Sequence, residues 1–295
     1  MFERKENAMS GNLLDRMKMQ APELSKGQRA IASYICENCE KAAYMTAAKL
    51  GQTVGVSEST VVRFAMEIGF DGYPQMQREI QSMLKSRLNS VQRVELADSR
   101  LNDGDILNNV MSLDIDMIRR TMEETSREEF LASVELICSA KKVFIIGTRS
   151  AASLASFLGY YLSLALNNVV VVDPSNESAM FGQMLQLDKN DAVIGISFPR
   201  YSRRVVGAMR FACDNGAKII ALTDSESSPL KPYADHLLLA RSDMASFVDS
   251  LAAPMSLVNS LIVAIALRKK DELKSNLVKL EKLWDDNNVY EKSGE

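Results

Sequence analysis

Apolar side chains recur at intervals of three and four residues along the N-terminal third of the chain. Within residues 26–38, Ile31, Tyr34 and Ile35 form one such stripe, and this spacing is typical of an amphipathic helix. The same spacing predicts further helices over residues 12–20, 46–54, 57–68 and 77–96. We therefore predict that the N-terminal part of the chain is all-helical.

From residue 142 the pattern changes to short apolar runs rich in β-branched residues. The first run, 143–146, ends at Gly147, as a buried parallel strand would. Similar runs predict strands at 169–172, 192–196, 219–222 and 236–240. Helical spacing occurs at 106–121, 128–139, 151–166, 178–187, 203–215, 257–267 and 273–284. Alternating strands and helices predict an α/β domain with a mostly parallel, five-stranded sheet.

These two patterns divide the 295 residues into two domains, the number expected at about 150 residues per domain. The predicted organisation is a flexible extension (1–11), a helical domain (12–90), a helical linker (91–127), the α/β domain (128–258) and C-terminal helices (259–295).

Composition limits the class of protein. Hydrophobic residues make up 46% and charged residues 25% of the chain, as in ordinary globular domains. No apolar signal-peptide core is present at the start, and the apolar run 261–267 is much shorter than the roughly 20 residues that span a bilayer. We expect a cytoplasmic protein without membrane contact.

Cysteine usage agrees with this expectation. Cys36, Cys39, Cys138 and Cys213 are too sparse for a disulfide scaffold, which fits a reducing compartment. Cys36 and Cys39 form a C-x-x-C pair, but no second pair follows and the only histidine is His236. These cysteines and this histidine do not provide the ligand spacing that a zinc site needs. We expect these cysteines to pack between helices, and we predict no metal and no cofactor.

Charge differs mildly between the two predicted domains. Residues 1–90 contain 12 Lys and Arg against 10 Asp and Glu, a net charge of +2, whereas the remaining residues have a net charge of −5. A DNA-binding domain needs a local basic face rather than a basic chain. The charge therefore permits nucleic-acid binding by the N-terminal domain without requiring it.

Residues 46–68 have the order of features that a helix-turn-helix needs. Gly55 can adopt the left-handed conformation that ends a helix, and Val56 can fill the space between two helices. Ser57 is a strong N-cap for the second helix. The alternative is another kind of helical bundle, in which Gly55 only ends a helix and Ser57 only caps one.

The second helix of this motif has two distinct faces. Helical spacing turns Val61, Ala65 and Ile68 toward the core. Ser59, Thr60 and Arg63 then face away from it, and such side chains suit base edges and phosphates. We predict that these three residues and Ser57 contact DNA.

A longer ordered pattern surrounds this motif. Its parts are LSKGQRAIASYI (24–35), MTAAKL (45–50), VSESTVVRF (56–64) and IGFDGY (68–73). Together they resemble the N-terminal domain of the RpiR (MurR/RpiR) family of transcription regulators. The resemblance implies that the helix starting near Ser57 is the recognition helix, with Gly69 as its C-cap. It also implies that Phe70 and Tyr73 pack back onto the core.

Two loops that follow predicted strands carry hydroxyl and guanidinium groups. The first contains Thr148, Arg149 and Ser150, and the second contains Ser197, Arg200, Ser202 and Arg203. Helix N-termini attract anions, and open α/β sheets bind ligands at the carboxyl ends of strands where the topology switches. We expect the loops to converge there, with Thr223 at the rim. Alternatively, the serines only cap helices or turns and the arginines are solvated charges.

Residues 142–241 resemble the sugar isomerase (SIS) domain, a phosphosugar-binding α/β fold that the RpiR family carries C-terminally. Gly147 and Ser150 match its Gly-x-x-Ser turn, and Ser197 and Ser202 match hydroxyls of its Ser-x-Ser-Gly-x-Thr loop. The middle Ser and Gly of that loop are replaced by Pro199 and Arg200. This departure leaves the loop less backbone freedom, so we expect Arg200 or Arg203 to bind the phosphate.

The resemblance as a whole implies a DNA-binding regulator controlled by a phosphorylated sugar, acting as a homodimer or dimer of dimers on an operator in double-stranded DNA. One alternative is a ligand-binding scaffold that makes no contact with DNA. Another is a phosphosugar isomerase, which needs an acid and a base at one site. His236 and Glu177 are the available side chains. His236 begins an apolar strand, where a packed or edge position is expected, so we predict that the protein is not an enzyme.

Overall fold

A computed structural model describes residues 13–87, 91–94, 105–244 and 247–291. The chain forms two compact units, Met1–Arg93 and Val94–Glu295. The predicted extension 1–11 and the end of the helix predicted over 77–96 lie outside the described residues. The predicted domain limits stay a prediction.

The first unit is helical. Its helices are α1 (Leu13–Gln20), α2 (Lys26–Glu37), α3 (Cys39–Ala42), α4 (Ala47–Val54), α5 (Glu58–Glu67) and α6 (Tyr73–Arg87). Helix α2 starts with a capping box: Ser25 Oγ accepts from the backbone N–H of Gln28, and Gln28 Oε1 accepts from that of Ser25. The prediction of an all-helical N-terminal part is confirmed.

Two elements of this unit differ from the predicted ones. Helix α3 was not predicted, because four residues are too few to show a helical period. Helix α6 begins at Tyr73 rather than at residue 77. Its first turn accommodates Pro74, whose missing N–H would have no helical partner at that position. Neither difference changes the fold class.

One core joins these helices. Ile31, Ile35 and Phe64 are among its fully buried side chains. Tyr73 is buried as well, and its hydroxyl donates to the backbone carbonyl of Met45 over 2.6 Å. Burial raises the pKa of Tyr73 to about 12. The phenol therefore stays neutral and ties the start of α6 to the segment before α4.

Helix α5 ends one residue earlier than the resemblance implied, which placed its C-cap at Gly69. Ile68 is the C-cap, and Gly69 follows it in the left-handed conformation with φ +91°. Phe70 is half-buried and packs against the same core as Tyr73, as the resemblance implied.

The second unit alternates helices and strands. The helices are α7 (Ile106–Glu124), α8 (Arg127–Ser139), α9 (Ser150–Ala165), α10 (Glu177–Met184), α11 (Arg203–Asp214), α12 (Ala252–Arg268) and α13 (Lys270–Asp286). The strands are β1 (Val143–Gly147), β2 (Val169–Val171), β3 (Ala192–Ile196), β4 (Lys218–Thr223) and β5 (His236–Leu239). Helix α12 begins five residues before the predicted start at 257, because Pro254 fits within its first turn.

The strands form one parallel sheet in the order β2-β1-β3-β4-β5. From β1 the chain moves outward to the edge strand β2 and then returns to the other side of β1. The strand order therefore reverses between the neighbours β1 and β3. The prediction of a mostly parallel, five-stranded sheet is confirmed.

Both faces of the sheet are covered. On one face, Val143 and Ile145 of β1 pack in a core with residues of α8, α9 and α12. On the other, Phe144 and Ile146 pack with residues of α10 and α11. Burial on both faces explains why the strands are unbroken apolar runs rather than alternating ones.

No helix within the described residues is by itself long and apolar enough to cross a membrane. Helices α12 and α13 meet that test of length and composition only as a pair, which is bent by 98°.

Candidate functional site

Residues 46–68 form a helix-turn-helix. Helix α4 ends at Gly55, which is left-handed (φ +80°, ψ +34°), and the backbone N–H of Val56 donates to the carbonyl of Gly51 over 2.8 Å. This is a Schellman-type helix end. Ser57 then caps α5, since its hydroxyl accepts from the backbone N–H of Thr60 over 3.3 Å. The turn has the geometry that the sequence predicted.

Helix α5 has one buried and one exposed face. Its fully buried side chains are Val61, Phe64 and Ala65. Ser57, Ser59 and Arg63 are exposed, and Thr60 is half-buried. The Ser57 hydroxyl lies 2.9 Å from that of Ser59 and 2.8 Å from that of Thr60. Arg63 Nε donates to the carbonyl of Ser59 over 3.3 Å. The four predicted DNA-contacting residues therefore lie together at the N-terminal half of α5.

Gly51 is a residue of this motif that the predictions missed. A Cβ atom at this position would lie 2.8 Å from the carbonyl oxygen of Val56 and 3.3 Å from the carbonyl carbon of Ser57. Both are backbone atoms, so only glycine allows α4 to approach the start of α5 this closely. A glycine in the interior of a predicted helix was the available signal.

In the second unit, β1 leads directly into α9 through a tight turn. The backbone N–H of Ala151 donates to the carbonyl of Thr148 over 3.1 Å. Arg149 has φ +54° and ψ −126°, which is the second position of a type II′ turn and favours glycine. Ser150 is the first residue of α9. A Cβ atom at Gly147 would lie 2.4 Å from the carbonyl oxygen of Ala151, so the first helical turn lies directly against the end of β1.

The loop after β3 is closed by a buried serine. Ser197 is 4% exposed, and its Oγ accepts from the backbone N–H of Ser202 over 3.1 Å. Arg200, at the tip, has φ +65°. Arg200 and Arg203 are exposed, and Ser202 is half-buried. The loop thus presents two guanidinium groups next to the start of α11.

The loops after β1 and β3 touch each other. The guanidinium of Arg149 donates to the backbone carbonyl of Arg200. Because β1 and β3 are neighbours and the strand order reverses between them, both loops lie where open α/β sheets bind ligands. Non-glycine residues with positive φ are uncommon and cluster at functional sites. Here one such arginine from each loop takes part in the contact.

Thr223 lies beneath these loops rather than at their surface. It ends β4 and is completely buried, and its hydroxyl donates to Ser228 Oγ over 2.9 Å. The same hydroxyl is 3.3 Å from Asp224 Oδ1, which also accepts from the hydroxyl of Tyr201 over 2.7 Å. This network connects the end of β4 with the loop after β3. Sequence analysis assigned no role to Tyr201 or Asp224.

The side chains considered for an isomerase lie at opposite edges of the sheet. His236 begins the edge strand β5, and its Nδ1 is 3.1 Å from Glu129 Oε2, which also accepts from the backbone N–H of Leu237. Glu177 begins α10 after the other edge strand, β2, and its Oε1 is 4.0 Å from Arg204 Nε. Acid and base catalysis of one proton transfer needs both groups at one site. His236 and Glu177 do not share one.

A cavity of about 310 Å³ adjoins β5. Its lining includes Lys231 and four carboxylates, those of Glu124, Glu129, Glu226 and Asp235. It includes none of the residues predicted to bind the sugar. A net negative lining disfavours an anionic ligand, so the loops after β1 and β3 remain the candidate site for a phosphate.

Cys36 and Cys39 are half-buried and pack against the core of the first unit. Within the part of the chain that the structure describes, no group of three or more His, Cys, Asp and Glu side chains could hold a metal ion.

Comparison with known proteins assigns each of the two units to a known domain. Residues 11–87 match the helix-turn-helix domain of the rpiR family, and residues 136–264 match the SIS domain. An RpiR transcription factor from Sphaerobacter thermophilus, solved as its sugar isomerase domain, is 30% identical with a TM-score of 0.56. The match covers 60% of this chain and 99% of that one.

Two further proteins are similar over most of the chain. The HTH-type transcriptional regulator HexR of Pseudomonas aeruginosa is 23% identical, over 92% of this chain and 94% of its own. The Vibrio vulnificus NanR protein, solved in complex with ManNAc-6P, is 21% identical with a TM-score of 0.59. That match covers 93% of this chain and 98% of NanR, and it shows a common fold.

A helix-turn-helix unit followed by a SIS domain defines a class of DNA-binding transcriptional regulators rather than of enzymes. The chain belongs to the RpiR family. The family prediction made from the ordered N-terminal pattern is confirmed.

Proposed function

We propose that α5 is the recognition helix of this regulator and that Ser57, Ser59, Thr60 and Arg63 contact DNA. A recognition helix meets base edges through its N-terminal residues, and these four side chains lie on that part of α5, outside the core. The DNA-binding domain would comprise residues 12–90. A homodimer, or a dimer of dimers, would place two such helices on a pseudo-palindromic operator in the cytoplasm.

We also propose that a phosphorylated sugar binds between the loops after β1 and β3, within an effector domain of residues 128–258. The observation that carries this proposal is the hydrogen bond from Arg149 to the carbonyl of Arg200, which brings the loops together. The residues proposed to form this site are Gly147, Thr148, Arg149, Ser150, Ser197, Arg200, Ser202, Arg203 and Thr223. The ManNAc-6P complex of NanR supports the ligand class.

The proposed residues have different tasks. Ser150 and the positive N-terminal end of α9 would face the phosphate, since a helix start favours anions. Arg203 and Arg200 supply charge-assisted hydrogen bonds. Ser197 and Thr223 hold the loop after β3 from below, because both are buried and hydrogen-bonded. Pro199 and Arg200 stand where related loops have Ser and Gly, so guanidinium groups replace part of the usual hydroxyl and backbone contacts.

Sugar binding would change DNA affinity by favouring one arrangement of the dimer over another. A ligand shifts such an equilibrium only by its difference in affinity for the two arrangements. Coupling of this kind typically changes affinity by about 5-fold to 150-fold.

Replacing Arg63 with alanine is expected to weaken binding to operator DNA by about tenfold or more, because a specific arginine contact contributes roughly 1–3 kcal/mol. The operator can be selected from a random DNA library with the wild-type protein. Affinity would then be measured by fluorescence anisotropy at fixed salt. Arg210→Ala on α11 removes the same charge from an exposed position of the second unit and should leave the affinity unchanged. Wild-type affinity of Arg63→Ala would exclude Arg63 from the interface.

A thermal-shift screen of phosphorylated sugars, with their unphosphorylated forms and inorganic phosphate as controls, is expected to identify an effector. That compound should change the operator affinity at fixed salt within the range given above. Arg203→Ala should lower the effector affinity by about tenfold, as expected for a lost charge-assisted hydrogen bond, whereas Arg210→Ala should not. Tight effector binding without any change in DNA affinity would contradict the proposed control.

A further inference from the structure

Helix α7 carries more apolar surface than the described part of its own chain covers. It packs beside α12, and its buried residues are Met117 and Thr121. Five large apolar side chains are between 39% and 74% exposed: Leu107, Met111, Ile115, Ile118 and Met122. Successive residues of an α-helix are rotated by about 100° around the helix axis. Viewed along that axis, these five side chains fall within an arc of about 80° next to the buried face. They form one continuous stripe, which we call the α7 stripe.

The polar residues of α7 lie on a separate face. They include Asn109, Ser112, Asp116, Arg119 and Glu123, and all of them are exposed. The helix therefore has a distinct solvent face, and the α7 stripe is not part of it. Contiguous exposed apolar patches on soluble proteins mark interaction sites.

Four of the five residues of the α7 stripe are symmetric about its midpoint, and the fifth, Ile115, lies beside that midpoint. Met111 and Ile118 are equally distant from the point between Asp114 and Ile115, and so are Leu107 and Met122. An antiparallel second copy of α7 would therefore place Met111 opposite Ile118 and Leu107 opposite Met122. A two-fold dimer needs such a self-complementary surface.

The exposed area is sufficient for this contact. At the observed exposures the five side chains offer on the order of 500 Å² from each copy, so that a pair buries about 1,000 Å², where specific interfaces begin. The neighbouring segment 247–250 carries further apolar side chains. It is attached to α7 by the hydrogen bond from Ser250 Oγ to Asp114 Oδ1 over 2.6 Å, and it exposes Phe247 and Val248.

We infer that the α7 stripe is a dimerisation surface whose partner is the antiparallel α7 of a second copy of this chain. This surface rests on the proposed function in one respect: a pseudo-palindromic operator needs two copies of the chain. The surface itself follows from the exposure and symmetry of α7.

Charge placed in the α7 stripe tests this surface in the full-length protein. Sedimentation velocity should give the wild type twice the 32.7 kDa mass of the chain. Met111→Lys and Ile118→Glu should each give the single-chain mass, because each buries a charge against an apolar residue of the other copy. The matched control Asn109→Lys lies on the polar face and should remain dimeric. The double variant Met111→Lys/Ile118→Glu should regain the dimer, since each introduced ammonium then faces an introduced carboxylate across the interface.

Several results would overturn the inference: a monomeric wild type, single variants that stay dimeric, or a double variant that dissociates like the single ones. Loss of helical circular dichroism in both single variants would also overturn it, by showing that the stripe is covered within one chain. Failure of the proposed function has another signature. Arg63→Ala would then bind the operator like the wild type with its dimer mass unchanged, while Met111→Lys and Ile118→Glu would still dissociate.

Discussion

Replacing Gly147 with alanine is expected to destabilise the second unit by about 3 kcal/mol, at the upper end of what overpacking costs, and to abolish effector binding. The added Cβ would lie 2.4 Å from the carbonyl oxygen of Ala151 and 2.8 Å from its carbonyl carbon. Contacts below 3.0 Å essentially never occur for real Cβ atoms. The start of α9 must therefore move, and neither contacting atom belongs to a flexible side chain.

That movement would affect the proposed ligand site directly. The first turn of α9 contains Ser150, which is proposed to face the phosphate, and the preceding Arg149 donates the hydrogen bond to the loop after β3. A shift of several tenths of an ångström disturbs all of these contacts together. Thermal unfolding monitored by calorimetry, and isothermal titration with the effector, measure the two effects separately.

Gly182→Ala provides the matched control for Gly147→Ala. Gly182 lies within α10, and a Cβ atom there would meet nothing within 4 Å. Alanine should stabilise this helix by about 0.5–1 kcal/mol, because it loses less conformational freedom than glycine on folding. If Gly147→Ala unfolded at the wild-type temperature and bound the effector normally, the close contact between β1 and α9 would not exist as described.

The fold was predictable because its signals are local. Buried parallel strands are continuous apolar runs, and 143–146 shows this pattern without any knowledge of its neighbours. The turn at Gly55 and the cap at Ser57 were equally accessible, since each depends on the conformational preference of one residue. The start of α6 was predicted four residues too late: the helix begins at Tyr73, with Pro74 in its first turn, where a helix tolerates proline.

The site was less predictable because it depends on strand order. Hydrophobic periodicity does not show that β3 pairs with β1, so the contact between Arg149 and Arg200 could not be derived from it. The burial of Thr223 has the same origin, since Ser228 and Asp224 surround its hydroxyl only in the folded loop. The role of Gly51 depends on a distance between two helices, for which the sequence offers only an unexplained glycine.

Gly51→Ala is expected to lower the stability of the first unit by about 2 kcal/mol, as overpacking against backbone does. It should also weaken operator binding by more than Arg63→Ala does. The new Cβ would lie 2.8 Å from the carbonyl oxygen of Val56 and contact the backbone just before α5. Relief requires α5, the proposed recognition helix, to move away from α4. All the side chains of α5 that are proposed to contact DNA then move together, whereas Arg63→Ala removes one.

The two variants can be separated by measuring unfolding and DNA binding in parallel. Arg63 is exposed, so its replacement should lower DNA affinity and leave the unfolding temperature unchanged, whereas Gly51→Ala should lower both. Gly72→Ala is the matched control, because its Cβ would meet only Pro74 Cδ at an ordinary 3.8 Å. A Gly51→Ala protein with wild-type stability and wild-type operator affinity would show that α4 and α5 tolerate a wider separation, and that recognition does not depend on their close approach.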